Sequence, residues 1–339
     1  MDSFNKIYIV SLALFLTLPY SCQNTFAGQN QTVKQTKVEH IPSFPKGKAL
    51  HLTFKSNIDG SFQPMLVKTP VDYTPDKTWP LLVALHGLGS GPILAPDIES
   101  MIQIGPFGRG DSWYEGIGEQ DVLESIEHAK RLFKIDPDRI YLCGFSMGAV
   151  GTFRLGFRYP DMWAACAPVC GRFENLDFVE NARHLPFWIH SGANDEVIEP
   201  EYSGKIYEKA QQLGFSEWKY TKHKGMGHSF RIDWPVVEKW LLTKKSKTNP
   251  KQVSFCTKDI KANRAYWAEI KEIEKSGKPA KIQVAIEGQH IKVITSNVHN
   301  YTLNLNNILI DCKEKVQIIE NGICVFDDVL DESGRFEKQ

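Results

Sequence analysis

The chain has 339 residues, enough for about two domains of ordinary size. With 42% apolar and 24% charged residues, it has the composition of a globular protein with a sizeable core. Its 40 Lys and Arg balance its 40 Asp and Glu, which excludes the overall basic signature of a nucleic-acid binder.

At the N-terminus, Lys6 followed by the apolar run Ile7 to Leu18 reads as a signal peptide. The run is shorter than the roughly 20 residues that span a bilayer. Thr25-Phe26-Ala27 offers ordinary cleavage after Ala27, making residues 1–27 the signal. A competing site is Leu18-Pro19-Tyr20-Ser21-Cys22, which resembles a lipoprotein box, although Pro19 stands where such boxes usually carry Leu. A lipid on Cys22 is then the one membrane attachment expected. Either site implies export to the periplasm, the medium or the cell surface. Residues 28–47 are polar, with Pro42 and Pro45, and read as a tether. Export also permits disulfides. Cys166 could pair with Cys170, and Cys312 with Cys324, but spacing does not decide the pairing.

From 48 to 243, apolar runs alternate with helical stretches. Leu81 to Leu85, Ile140 to Cys143, Pro186 to Ile189 and Trp218 to Tyr220 read as strands. Between the first two, Val122, Ile126, Ala129 and Phe133 share one helical face. Tyr202 to Leu213 and Val236 to Leu242 also read as helices. This order implies an α/β domain with a mostly parallel sheet covered on both faces. Thr243 to Val253, rich in Lys, reads as a linker. Beyond it, polar–apolar alternation at 281–286, 291–294 and 301–305 predicts a small antiparallel β domain over 252–339. Asn263 to Ile273 fits either a helix or a strand.

Gly144-Phe145-Ser146-Met147-Gly148 matches G-x-S-x-G between a strand and the helical stretch Ala149 to Phe157. Such a sharp turn exposes the serine hydroxyl, so Ser146 is the candidate nucleophile. A serine needs a base. His228, on the glycine-rich loop Gly225 to Ser229, is better placed for this than His223 or His190. The base needs an acid to orient it. Asp195 follows the third strand, with Glu196 as its neighbour and rival. The order Ser, Asp, His is that of α/β-hydrolases. Backbone N–H groups of Met147 and Leu88, the latter in His86-Gly87-Leu88-Gly89, are the expected oxyanion donors. Trp113 and Tyr114 are candidate substrate-stacking residues.

These motifs, with Gly108-Arg109-Gly110, Gly118 to Val122 and Asp136-Pro137-Asp138-Arg139, give residues 60–243 a resemblance to one branch of the α/β-hydrolases. That branch holds polyhydroxybutyrate-depolymerase-like enzymes, feruloyl and acetyl-xylan esterases, and peptidases related to prolyl oligopeptidase. The resemblance implies the triad Ser146, Asp195 and His228. It departs at Ala149, where relatives often carry glycine. The branch is known for esters and, less surely, peptides, so the resemblance does not fix the substrate. Export, the triad and the Trp113 and Tyr114 aromatics point to an exported esterase acting on ester-decorated saccharides, with a serine peptidase or an inactive binding protein as rivals. No H-E-x-x-H, C-x-x-C or P-loop motif is present, so neither metal nor cofactor is expected.

Overall fold

The structure is a computed structural model and describes residues 44–338. The expected signal, the expected lipid site at Cys22 and most of the expected tether lie outside the described residues. β1 (Ala49–Lys55), β2 (Phe62–Lys68), β3 (Trp79–Leu85) and β4 (Ile102–Pro106) open the main sheet. Next come α1 (Ile117–Leu132), β5 (Ile135–Phe145), α2 (Met147–Arg158) and β6 (Ala165–Val169). β7 (Trp188–Gly192), α3 (Pro200–Gln212), β8 (Lys219–His223) and α4 (Trp234–Leu242) complete this part. The eight strands lie in the order β1-β2-β4-β3-β5-β6-β7-β8. From β4 to β8 all neighbours are parallel, and β1 and β2 add an antiparallel edge.

Every residue of β3 is buried, as in a strand covered on both faces. Alternate residues serve different cores. Leu81, Val83 and Leu85 pack with Val122 and Ile126 of α1 and with Phe153 of α2. Leu82 and Ala84 pack on the other face with Val237 and Leu241 of α4. This is the α/β-hydrolase architecture, with the helices split between the two faces of a mostly parallel sheet. β6, with the sequence ACAPV, is equally buried but built of small residues, so its apolar signal is weak.

The remaining strands are β9 (Gln252–Thr257), β10 (Arg264–Ala265), β11 (Ala268–Ile273), β12 (Ala280–Glu287) and β13 (His290–Ser296). They continue as β14 (Val298–Asn304), β15 (Lys315–Glu320), β16 (Ile323–Val329) and β17 (Arg335–Glu337). They form a five-stranded sheet, β16-β15-β13-β12-β9, and a four-stranded one, β10-β11-β14-β17. All pairs are antiparallel except β13 with β15. The ambiguous stretch 263–273 is the hairpin β10–β11. These sheets enclose a core of their own that includes Phe255, Ile282, Val293 and Tyr301.

The cysteines at 143, 166, 170, 256, 312 and 324 are free thiols, so neither pairing considered above forms. Cys166 and Cys170 pack into cores on opposite faces of the main sheet, which explains the first case.

Candidate active site

β5 ends at Phe145 and α2 begins at Met147, leaving Ser146 alone to make the turn. Its φ is 56°, a region that non-glycine residues occupy only under constraint. The constraint is visible on both sides. A Cβ on Gly144 would lie 2.3 Å from the Gly148 carbonyl oxygen, and one on Gly148 would lie 2.1 Å from that of Leu85. The two glycines therefore let α2 start directly against the ends of β5 and β3. The Ser146 N–H donates to the Val169 carbonyl of neighbouring β6 at 3.0 Å, which anchors the turn.

Asp195 and His228 arrive from the loops after β7 and β8. These loops are joined through the backbone, with Ala193 N–H donating to His223 O at 2.9 Å and Asn194 N–H to Met226 O at 2.8 Å. The structure brings Ser146, His228 and Asp195 into one line. Ser146 Oγ lies 2.9 Å from His228 Nε2, and His228 Nδ1 lies 2.9 Å from Asp195 Oδ2 and 3.0 Å from Oδ1. Burial opposes charge on Asp195, but the N–H groups of Ile198 and Val197 and the His228 ring outweigh it and hold the carboxyl below its usual range. Glu196, the rival acid, is exposed. Of the rival bases, His190 and His223 face each other at 3.1 Å.

The loop after β3 lies on the other side of the serine. A Cβ on Gly87 would stand 3.6 Å from Ser146 Cβ. Leu88 is largely exposed beyond it, and Met147 is the first residue of α2. Two residues unassigned by the motifs brace this loop. His86 is fully buried, and its ring nitrogens sit 2.8 Å from the carbonyl oxygens of Gly87 and Phe107. Asp111 accepts from Gly89 N–H at 2.7 Å. No local motif could have flagged them, because the bracing contacts of His86 with Phe107 and of Asp111 with Gly89 join separate loops.

The candidate substrate contacts divide. Tyr114 is corrected: it is fully buried, and its hydroxyl donates to the His86 carbonyl at 3.0 Å. It packs where a Cβ on Gly151 would lie 2.4 Å from its ring, so its faces are closed to a ligand. Trp113 is half-buried, with the Arg172 guanidinium 5.9 Å from the ring centre.

Cys170 lies behind the line of three, its thiol 3.3 Å from the His228 carbonyl. Candidate ligand atoms of Cys170, Asp195 and His228 fall within 4.8 Å of one another. Burial pushes this thiol up to about 12, so it is protonated, and Asp195 and His228 are already bonded together. The trio therefore fits the hydrogen bonds of the serine site better than a cation.

No family model matches the chain. A bifunctional acetylxylan esterase/xylanase of Neocallimastix patriciarum is 31% identical over 154 residues, covering 41% of this chain and 22% of the relative. Poly(3-hydroxyalkanoate) depolymerase C of Paucimonas lemoignei is 34% identical over 67 residues, 18% of this chain and 16% of the relative. The chain thus spans under a quarter of either relative's length. Among solved structures, a CE1 ferulic acid esterase of Anaeromyces mucronatus is 18% identical with a TM-score of 0.47, covering 62% of this chain and 93% of that one.

Proposed function

We propose that the chain is an exported serine carboxylic-ester hydrolase that cleaves acyl or feruloyl esters on polysaccharide fragments. The observation that carries this reading is the continuous hydrogen-bonded line from Asp195 through His228 to Ser146, ending at a strained turn. In the proposed reaction, His228 Nε2 takes the proton as Ser146 Oγ attacks the ester carbonyl carbon. Met147 and Leu88 N–H groups donate to the oxyanion. His228 then returns the proton to the departing alcohol, leaving an acyl-serine. Water, activated by the same histidine, releases the acid. Asp195 holds the imidazole with Nδ1 protonated and takes up no proton itself. Half-buried Trp113 offers a flat face to a sugar or aryl group. The names of the sequence relatives favour ester bonds and, for one of them, a xylan backbone.

The test is a fluorophosphonate probe together with a panel of acetyl, feruloyl and short-chain aryl esters and a peptide library. Labelling of the parent but not of Ser146→Ala, with turnover of esters ahead of peptides, is the expected result. Faster cleavage of peptides would make the enzyme a serine peptidase. Unchanged labelling of the variant would place the nucleophile elsewhere.

A further inference from the structure

Between the main sheet and the C-terminal sheets lies a cavity of about 420 Å³, within the usual size of a ligand site. One wall comes from the hydrolase part, with Ile140, Met162 and Lys130. The other is the segment joining β9 to β10, with Lys261, and the first residue of β10, Arg264. That segment is pinned at both ends. Asp259 pairs with Arg158 at 2.9 Å, and Arg158 in turn pairs with buried Glu119 at 2.6 Å. At the far end, Tyr266 N–H donates to Asp161 Oδ2 at 3.1 Å. Between the pins, Lys261 and Arg264 are exposed and form no ion pair among the described residues. Lys130 pairs only with exposed Glu127, one helical turn away. Asp161 is the one acidic side chain in the lining; it accepts from Tyr266 N–H and its carboxyl is also attracted by Arg264.

We propose that this cleft is a second binding site, distinct from the catalytic one, for a carboxylate-bearing sugar unit. Three cations against the single lining carboxylate of Asp161 leave the concavity with an excess of positive charge, a field that isolated surface lysines do not focus. Partly exposed Met162, backed by buried Ile140, offers an apolar surface that suits the carbon face of a sugar ring. The volume is many times the roughly 30 Å³ share of a water molecule, so a lone inorganic ion would leave most of it empty. Ile140 and Ser146 lie on and just beyond the same strand, six residues apart, so the cleft is roughly 20 Å from the serine. It cannot touch the scissile ester and would hold the polymer by a remote unit. Naming the anion a sugar acid rests on the carbohydrate-ester reading above, whereas the anion site itself does not.

The experiment uses the full chain carrying Ser146→Ala, so that ligand stays intact. Calorimetric titration with glucuronoxylan oligosaccharides is compared with the same oligosaccharides after carboxyl reduction, and with inorganic phosphate. Binding of the acidic form is expected, weakened about tenfold or more by added Lys261→Glu/Arg264→Glu and weakened by salt. With Ser146 restored, this double variant should turn over 4-nitrophenyl acetate like the parent, which shows that it is folded. Equal binding by the double variant, or equal binding of the reduced oligosaccharides, overturns the proposal. Phosphate binding that acidic oligosaccharides do not displace overturns the sugar assignment. Acidic oligosaccharide binding in a protein that hydrolyses no ester would sink the esterase reading and leave this site standing.

Discussion

The main sheet and the C-terminal sheets spend their irregularities differently. Among the described residues, six non-glycine residues of the first part have positive φ, and Arg109, Trp113, Tyr114, Ser146 and Cys170 among them belong to loops around the candidate site. In the second part the three are Tyr266, Asn297 and Asn321, and asparagine tolerates that region best among non-glycine residues. Buried ionisable groups follow the same division: among the described residues, the buried histidines and carboxylates are His86, Glu119, Asp121, Glu180, His190, Asp195 and Glu238 in the first part and Glu320 in the second. Strain and buried polarity each work against folding. Buried Glu119, Glu180 and Glu238 each have a cation or backbone N–H partner away from the site. It is therefore the strained turns, together with His86, His190 and Asp195, that gather at the ends of the central strands where the candidate site lies, while the C-terminal sheets carry little of either.

The sharpest way to break this comparison is to change charge but not shape at the strained edge. Asp195→Asn is expected to lower kcat on an aryl ester by about 10⁴, the scale known for the equivalent change in another enzyme's triad. The amide would favour the wrong imidazole tautomer. Glu196→Gln, at an exposed side chain, should stay close to the parent. A crippled Glu196→Gln with Asp195→Asn active would contradict the hydrogen bonds to His228.

The reverse experiment belongs to the C-terminal core. Ile282 is fully buried between the two sheets. Ile282→Ala should cost about 2–5 kcal/mol of stability, measured by urea unfolding, while kcat on a small ester stays within a factor of two or so of the parent. A large kcat loss below the unfolding transition would show that this region shapes the site. Gly148→Ala should do both at once. Its Cβ would meet the Leu85 carbonyl oxygen at 2.1 Å, and backbone cannot step aside as a side chain can. A stability loss of about 1–3 kcal/mol should accompany reduced turnover, because α2 would be pushed off the turn that presents Ser146.

The contrast also explains how much of the molecule can be read from its sequence. Ser146, Asp195 and His228 stand out because the turns that carry them need glycine at fixed offsets. β12 stands out because its burial alternates strictly along Lys281 to Ile286. β4 and β6 do not, since Gln103 and small residues such as Ala165 and Ala167 are buried without an apolar signal. Tyr114 misleads for a related reason. An aromatic residue in a glycine-containing loop looks available for stacking, and only the fold shows that Gly108 and Gly151 make room for its ring. His86 and Cys170 acquire their roles from contacts across separate loops, which no spacing encodes.

The smallest effect tests whether the buried polarity behind the site carries a cost that the C-terminal sheets avoid. His190 is buried in the middle of β7, its Nδ1 facing His223 and its Nε2 without a partner. Burial first, and His223 second, push it down to about 3. The unfolded chain takes up a proton near the ordinary histidine value of about 6.5, whereas the folded chain does not until far lower. A group depressed in this way contributes stability that is fully present above the unfolded value and is lost as pH falls toward the folded one. From His190, the slope should therefore approach about 1.4 kcal/mol per pH unit between about pH 6 and pH 4. Replacing His190 with Gln, which does not titrate, should flatten the urea-unfolding midpoint over that interval relative to the parent, even if the variant is less stable at pH 7.5. The comparison is one of slopes, so a uniform loss from poorer packing cannot imitate it. Parallel curves for parent and variant would mean that water reaches His190 and that the edge behind the site is less dry than its geometry indicates.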